Sequence, residues 1–110
     1  MNLPNADSAV IDRGKVTDYL LSPSHPVGRF KSAFFASLGY SANAWELLLE
    51  DIRELARIGE AAAGHKSPYG SKFEVYGDLS GPAGRSAAVV TVWIVRTGED
   101  FPRFITAFPR

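Results

Sequence analysis

The chain has 110 residues, 45% of them apolar and 13 of them aromatic (seven Phe, four Tyr, two Trp), which is enough for one packed core and excludes a disordered chain. Twelve basic residues balance twelve acidic ones, which counts against a strongly nucleic-acid-binding surface, and the absence of cysteine excludes disulfides and thiolate metal sites. The opening MNLPNADSAV has neither the basic nor the apolar region of a secretory signal, and no apolar run reaches the roughly 20 residues of a membrane helix. A cytoplasmic protein without membrane contact is expected.

In chain order, residues 1–11 read as an extended lead-in. Asp12 then caps a short helix over Arg13 to Leu21, with Val16, Tyr19 and Leu20 at helical spacing. The run Ser22-Pro23-Ser24-His25-Pro26 breaks it, with Ser24 or His25 placed to cap a second helix from about Val27 to Leu38. The stripe of that helix is Val27, Phe30, Phe34 and Leu38, and Gly39 suits a left-handed C-terminal cap. Asn43 and Glu46 have the spacing of a capping box for a third helix, whose inner face is Trp45, Leu48, Ile52, Leu55 and Ala56. Three glycines and a proline make residues 59–71 a loop, carrying His65 and Lys66.

From Lys72 the apolar period becomes two. Strands are expected at Lys72–Leu79, Arg85–Arg96 and about Pro102–Phe108, joined by the turns at Gly81–Gly84 and Thr97–Asp100. The class is therefore α+β: one domain over residues 1–110, with N-terminal helices (about 13–59) packed on one face of an antiparallel β-meander (about 72–108). On the central strand Ala88, Val90, Val92 and Ile94 are uniformly apolar and are expected to meet the helices. Arg85, Thr91 and Trp93, with Arg96 at the strand end, would then line the other face. Charge is uneven: residues 41–62 hold five acids against two arginines, while bases predominate from residue 63 onward.

The sequence has no phosphate-binding glycine loop, no paired histidines at helical spacing and no calcium loop, so neither metal nor cofactor is expected. What is left is metal-free chemistry by His, Lys, Arg, Thr and Tyr. Cleavage of RNA by its own 2′-hydroxyl needs no more: a base for the 2′ proton, cations on the phosphate and an acid for the leaving oxygen.

The run His25-Pro26-Val27-Gly28-Arg29-Phe30-Lys31 resembles a pattern of small bacterial domains found alone and as C-terminal toxin modules of contact-dependent or filamentous-haemagglutinin-like proteins. Tyr69-Gly70, Gly81-Pro82-x-Gly84-Arg85 and Thr91-x-Trp93-Ile94-Val95-Arg96-x-Gly98-Glu99-Asp100-x-Pro102-Arg103 are similar to the same family, so the resemblance runs from Leu3 to Pro109. It implies an RNase-like fold of the barnase, EndoU, colicin and RelE group, RNA as substrate, and a cognate immunity or antitoxin protein as partner. The last strand of that family often has Tyr where this chain has Phe108.

The candidate catalytic residues are His25 as base, Lys31 and Arg96 on the phosphate, and Thr91 as an orienting hydroxyl. Trp93, Arg103, Thr106 and Arg85 are candidates for substrate binding. Each has a plainer alternative. His25 could be a helix cap, Lys31 a solvated lysine and Trp93 a core residue, and Arg96 or Arg103 could be paired to Glu99 or Asp100. If both lay on one helix, His25 and Lys31 would be about 240° apart, so they converge only if His25 sits off the helix as a cap. Two other functions stay open: a non-enzymatic protein-binding module derived from such a toxin, and a small-molecule binder using Trp93 and the arginines.

Overall fold

A computed structural model describes residues 1–110. Asp12 caps the first helical segment as its position suggests, its Oδ1 accepting from the Gly14 N–H at 2.9 Å. The segment is not one regular helix. A single turn, α1 (Arg13–Lys15), passes into a π-helical turn at Val16–Leu20, closed by a bond from the Leu21 N–H to the Val16 carbonyl at 2.9 Å. Helix α2 (Arg29–Ser37) follows, ending at Leu38 and Gly39, and Gly39 takes the expected left-handed conformation at φ +97°. Helix α3 (Trp45–Ile58) buries Leu48, Ile52, Leu55 and Ala56 as their spacing requires, together with Leu49. Trp45 stays half-buried beneath the Arg13 guanidinium, 4.7 Å from the ring centroid.

Four strands follow: β1 (Glu60–Ser67), β2 (Gly70–Ser80), β3 (Ser86–Arg96) and β4 (Pro102–Pro109). They form an antiparallel sheet in the order β1-β2-β3-β4, with the helices on one face. The α+β class and the meander are those expected.

Four details differ. Residues 60–67 are a strand and not a loop. They read as a loop because only Ala61 of that strand is buried, so no apolar alternation is visible. Asn43 does not cap α3. A 3₁₀ turn at Ala42–Ala44 precedes the helix, and no side chain bonds its first N–H groups. The inner face of α2 is Ser32, Phe35 and Leu38, which leaves Val27 54% and Phe30 72% exposed.

The faces of β3 are also the reverse of the expectation. Val89, Thr91 and Trp93 are fully buried toward the helices, packed with Val75, Phe104 and Ala107. Val92 and Ile94 lie half-buried on the far side, and Val90 is covered there between its cross-strand neighbours Tyr76 and Phe108. Thr91 and Trp93 tolerate burial because they satisfy each other. The Trp93 indole donates to Thr91 Oγ1 at 2.8 Å, and Thr91 Oγ1 donates to the Val75 carbonyl at 3.1 Å.

Two contacts position the first half of the chain, one against the sheet and one within that half. Val10 makes a single parallel bridge to Arg103 on β4, while Leu3, Ala9 and Ile11 are buried on either side of it. Gly28, just ahead of α2, lies so close to the π turn that a Cβ there would stand 2.0 Å from the Tyr19 carbonyl oxygen. That closeness brings Tyr19 beside α2.

Candidate functional site

Between the Asp12–Tyr19 segment, the His25 loop and the middle of β4 lies an open cleft of about 630 Å³. It is lined by the exposed Asp12, Lys15, Asp18 and Val27 and by the half-buried Gly14, Tyr19, His25, Ile105 and Thr106. Tyr19 reaches it from the π turn. Thr106 reaches it from β4 just beyond a shift of register, where Val92 pairs with Thr106 but Trp93 pairs with Phe104, so Ile105 is the extra residue.

Polar groups converge on the Tyr19 hydroxyl. Lys31 Nζ donates to it at 2.8 Å, and it shares a hydrogen bond with Thr106 Oγ1 at 3.1 Å. The Lys31 ammonium is also 5.1 Å from the centroid of the Tyr19 ring. Burial pushes the Tyr19 hydroxyl up, but the hydrogen bonds from Lys31 and Thr106 and the charges of Lys31 and Lys15 outweigh it. Tyr19 therefore ionises below the usual tyrosine range.

His25 sits off the helix, which is the condition for it to approach Lys31. Its Nδ1 accepts from the backbone N–H groups of Val27 at 3.0 Å and Gly28 at 2.9 Å, so it caps the turn that enters α2. The ring meets Tyr19 edge-on, with centroids 5.1 Å apart. With the Nδ1 lone pair taken by two backbone donors, the ring proton belongs on Nε2. In that form His25 offers the cleft a donor.

The other sequence candidates are distributed differently. Lys31 and Thr106 join His25 around Tyr19. Thr91 and Trp93 belong to the core, where no substrate reaches them. Arg103 is held by Glu99 through two parallel bonds, Nε at 2.9 Å and Nη2 at 2.8 Å. The Arg103 guanidinium in turn keeps the Glu99 carboxyl below the usual range. Arg96 is exposed at the end of β3 opposite Gly70, and Arg85 lies in a turn with Nη1 3.5 Å from the Ser37 carbonyl. None of these arginines lines the cleft. Phe108 is two residues beyond Thr106, opposite Val90, and does not line it either. Sequence reasoning missed Tyr19, whose helical spacing with Val16 and Leu20 reads as core.

A second concavity, about 380 Å³ between α3 and β2, is lined by Asp51, Glu54, Glu60 and Asp78 among others. No group of His, Asp or Glu there or elsewhere is arranged to hold a metal ion. No helix is long and apolar enough to cross a membrane.

No curated protein matches the chain. Among solved structures it is similar to a chain of the "Contact-dependent growth inhibition toxin - immunity protein complex from Klebsiella pneumoniae 342". The two are 21% identical with a TM-score of 0.71, over 92% of this chain and 99% of that one. At that identity the likeness is one of fold. A family model matches residues 2–110, and the chain belongs to that family, described as a domain of unknown function, DUF6883.

Proposed function

We propose that this is a metal-independent ribonuclease domain of the toxin type, acting at the cleft around Tyr19. The observation that carries the reading is the Tyr19 hydroxyl, held between Lys31 Nζ at 2.8 Å and Thr106 Oγ1 at 3.1 Å, ionising below the ordinary tyrosine range. Support also comes from the fold, shared with a chain from a toxin–immunity complex, and from the sequence resemblance to bacterial toxin modules.

In this reading the Tyr19 oxygen takes the proton of a ribose 2′-hydroxyl. The 2′-oxygen then attacks the adjacent phosphorus, and the bond to the 5′-oxygen breaks. The products are a 2′,3′-cyclic phosphate and a 5′-hydroxyl. The Lys31 and Lys15 ammonium groups oppose the charge that builds on the phosphate, and one of them or water protonates the leaving oxygen. His25 donates to a phosphate oxygen through Nε2–H, and Thr106 keeps the Tyr19 oxygen in place. Arg85, Arg96 and Arg103 have no role in the chemical step, although the exposed Arg85 and Arg96 remain available to a longer RNA. A cognate immunity or antitoxin protein would neutralise the domain by covering this cleft.

The test is tightly induced expression in a bacterial host, with total RNA examined beside growth. Arrest with discrete RNA fragments, both lost in Tyr19→Phe and Lys31→Met, is the expected result. Normal growth with intact RNA and soluble protein overturns it. That outcome would favour the second reading, a non-enzymatic protein-binding module, which the zero net charge also favours.

A further inference from the structure

Phe30, three residues along the chain from the cleft residue Val27, carries an aromatic side chain with no structural task. Phe30 is 72% exposed on α2, although its spacing with Phe34 and Leu38 suits a core stripe. Its neighbours are not those of a stray core residue. The Arg29 guanidinium lies 4.7 Å from the centroid of the Phe30 ring, so a cation backs the aromatic group while the side chain stays open to solvent. Lys31, the next residue, sends its ammonium to Tyr19. Val27, one helical turn before Phe30 and bonded to it through the backbone, lines the cleft. No acidic residue occurs between Asp18 and Glu46, so the charged residues nearest Phe30 in the chain are arginine and lysine alone.

We propose that Phe30, backed by Arg29, is a stacking platform for an unpaired nucleobase of a strand whose phosphate lies at Lys31 and Tyr19. The placement of the strand rests on the RNA-cleaving reading above. An aromatic ring beside a guanidinium suits a base, because every base has a π face and the cation strengthens the stack without reading sequence. A duplex keeps its bases stacked on each other and has none to offer. The substrate is therefore a loop, bulge or single strand, and an arginine-backed ring next to a lysine also favours an anionic strand over an apolar protein surface.

The test measures binding apart from cleavage. A fluorescently labelled single-stranded oligodeoxynucleotide, which lacks the 2′-hydroxyl and cannot be cut this way, is titrated with the protein and with Phe30→Ala, Phe30→Leu and Phe30→Trp. The exposed position leaves the fold of all three intact. Loss of about tenfold in affinity is expected for Phe30→Ala and for Phe30→Leu, with Phe30→Trp binding as tightly as the unsubstituted protein or tighter. A strand of the same length built from abasic sites should bind the unsubstituted protein and the Phe30→Ala variant alike. Affinity unchanged in Phe30→Leu overturns the proposal, because an aromatic face would then be unnecessary. So does absence of binding by the unsubstituted protein, which would leave Phe30 as a contact for another protein. The two readings fail separately. RNA cleavage with a KM indifferent to Phe30 removes the platform and keeps the reaction, whereas aromatic-dependent binding without cleavage of any RNA removes the reaction and keeps the platform.

Discussion

Lys31 Nζ stands 2.8 Å from the Tyr19 hydroxyl oxygen, joining two helices that the break at Ser22–Pro26 separates. Tyr19 ionises more readily for it, and a pH dependence follows. If its oxygen is the base, cleavage rises with pH along a limb below the ordinary tyrosine range. Lys31→Met removes one hydrogen bond and one charge, so that limb should move to higher pH in a pH–rate profile. The stability effect has the matching sign. A depressed folded-state pKa adds stability only above the unfolded value, and the gain is lost as pH falls through the folded one. Below the folded-state value the hydroxyl is protonated in both states, so Tyr19→Phe should cost only about 0.5–1.5 kcal/mol there, by chemical denaturation.

His25 has two separable tasks, and two substitutions divide them. His25→Ala removes the acceptor for the Val27 and Gly28 N–H groups and should cost about 1 kcal/mol. His25→Asn keeps a capping oxygen but loses the Nε2–H donor. It should fold with stability near that of the unchanged protein and cleave roughly a hundredfold more slowly, as expected for loss of one oxyanion donor. Rates from urea-matched samples check the pair.

Gly28 holds α2 against Tyr19 by having no side chain. Its φ of −64° suits any residue, so space alone forbids a substitution. A Cβ would stand 2.0 Å from the Tyr19 carbonyl oxygen, an atom of the backbone that has no rotamer to move. Gly28→Ala should therefore destabilise by about 1–3 kcal/mol and separate Lys31 from Tyr19. Calorimetry, with cleavage measured on the folded fraction, should show both losses together.

Thr91 and Trp93 predict the opposite pattern. Thr91→Val strands the buried indole N–H of Trp93 and should cost about 1–3 kcal/mol, while Thr91→Ser keeps the acceptor and costs less. Neither should change the cleavage rate per folded molecule. A rate loss exceeding the loss of folded protein would return Thr91 to the site.

Local chemistry makes much of the fold legible. Asp12, Gly39 and the face of α3 act through their own element, so spacing and side-chain type suffice to place them. Thr91 and Trp93 read as open-face residues because polarity on a strand usually marks solvent, and nothing in a linear pattern reveals that the two bond each other. The strand at residues 60–67 pairs through its backbone while its side chains point mostly to water. The site is half legible. The run from His25 to Lys31 draws attention by its residues, and the capping geometry that lets the two converge follows from Pro26. Tyr19 is hidden because a helical spacing of apolar residues describes it equally well, and the π turn that turns it into the cleft leaves no mark in the sequence. Thr106 depends on a register shift across two strands, which is visible only in the pairing.

The most direct test of the account is the chemistry of RNA incubated with purified protein in excess EDTA. Fragments ending in a 2′,3′-cyclic phosphate, formed by the unchanged protein and not by folded Tyr19→Phe, are the predicted result. Intact RNA, or cleavage equally fast without the Tyr19 hydroxyl, would contradict the account.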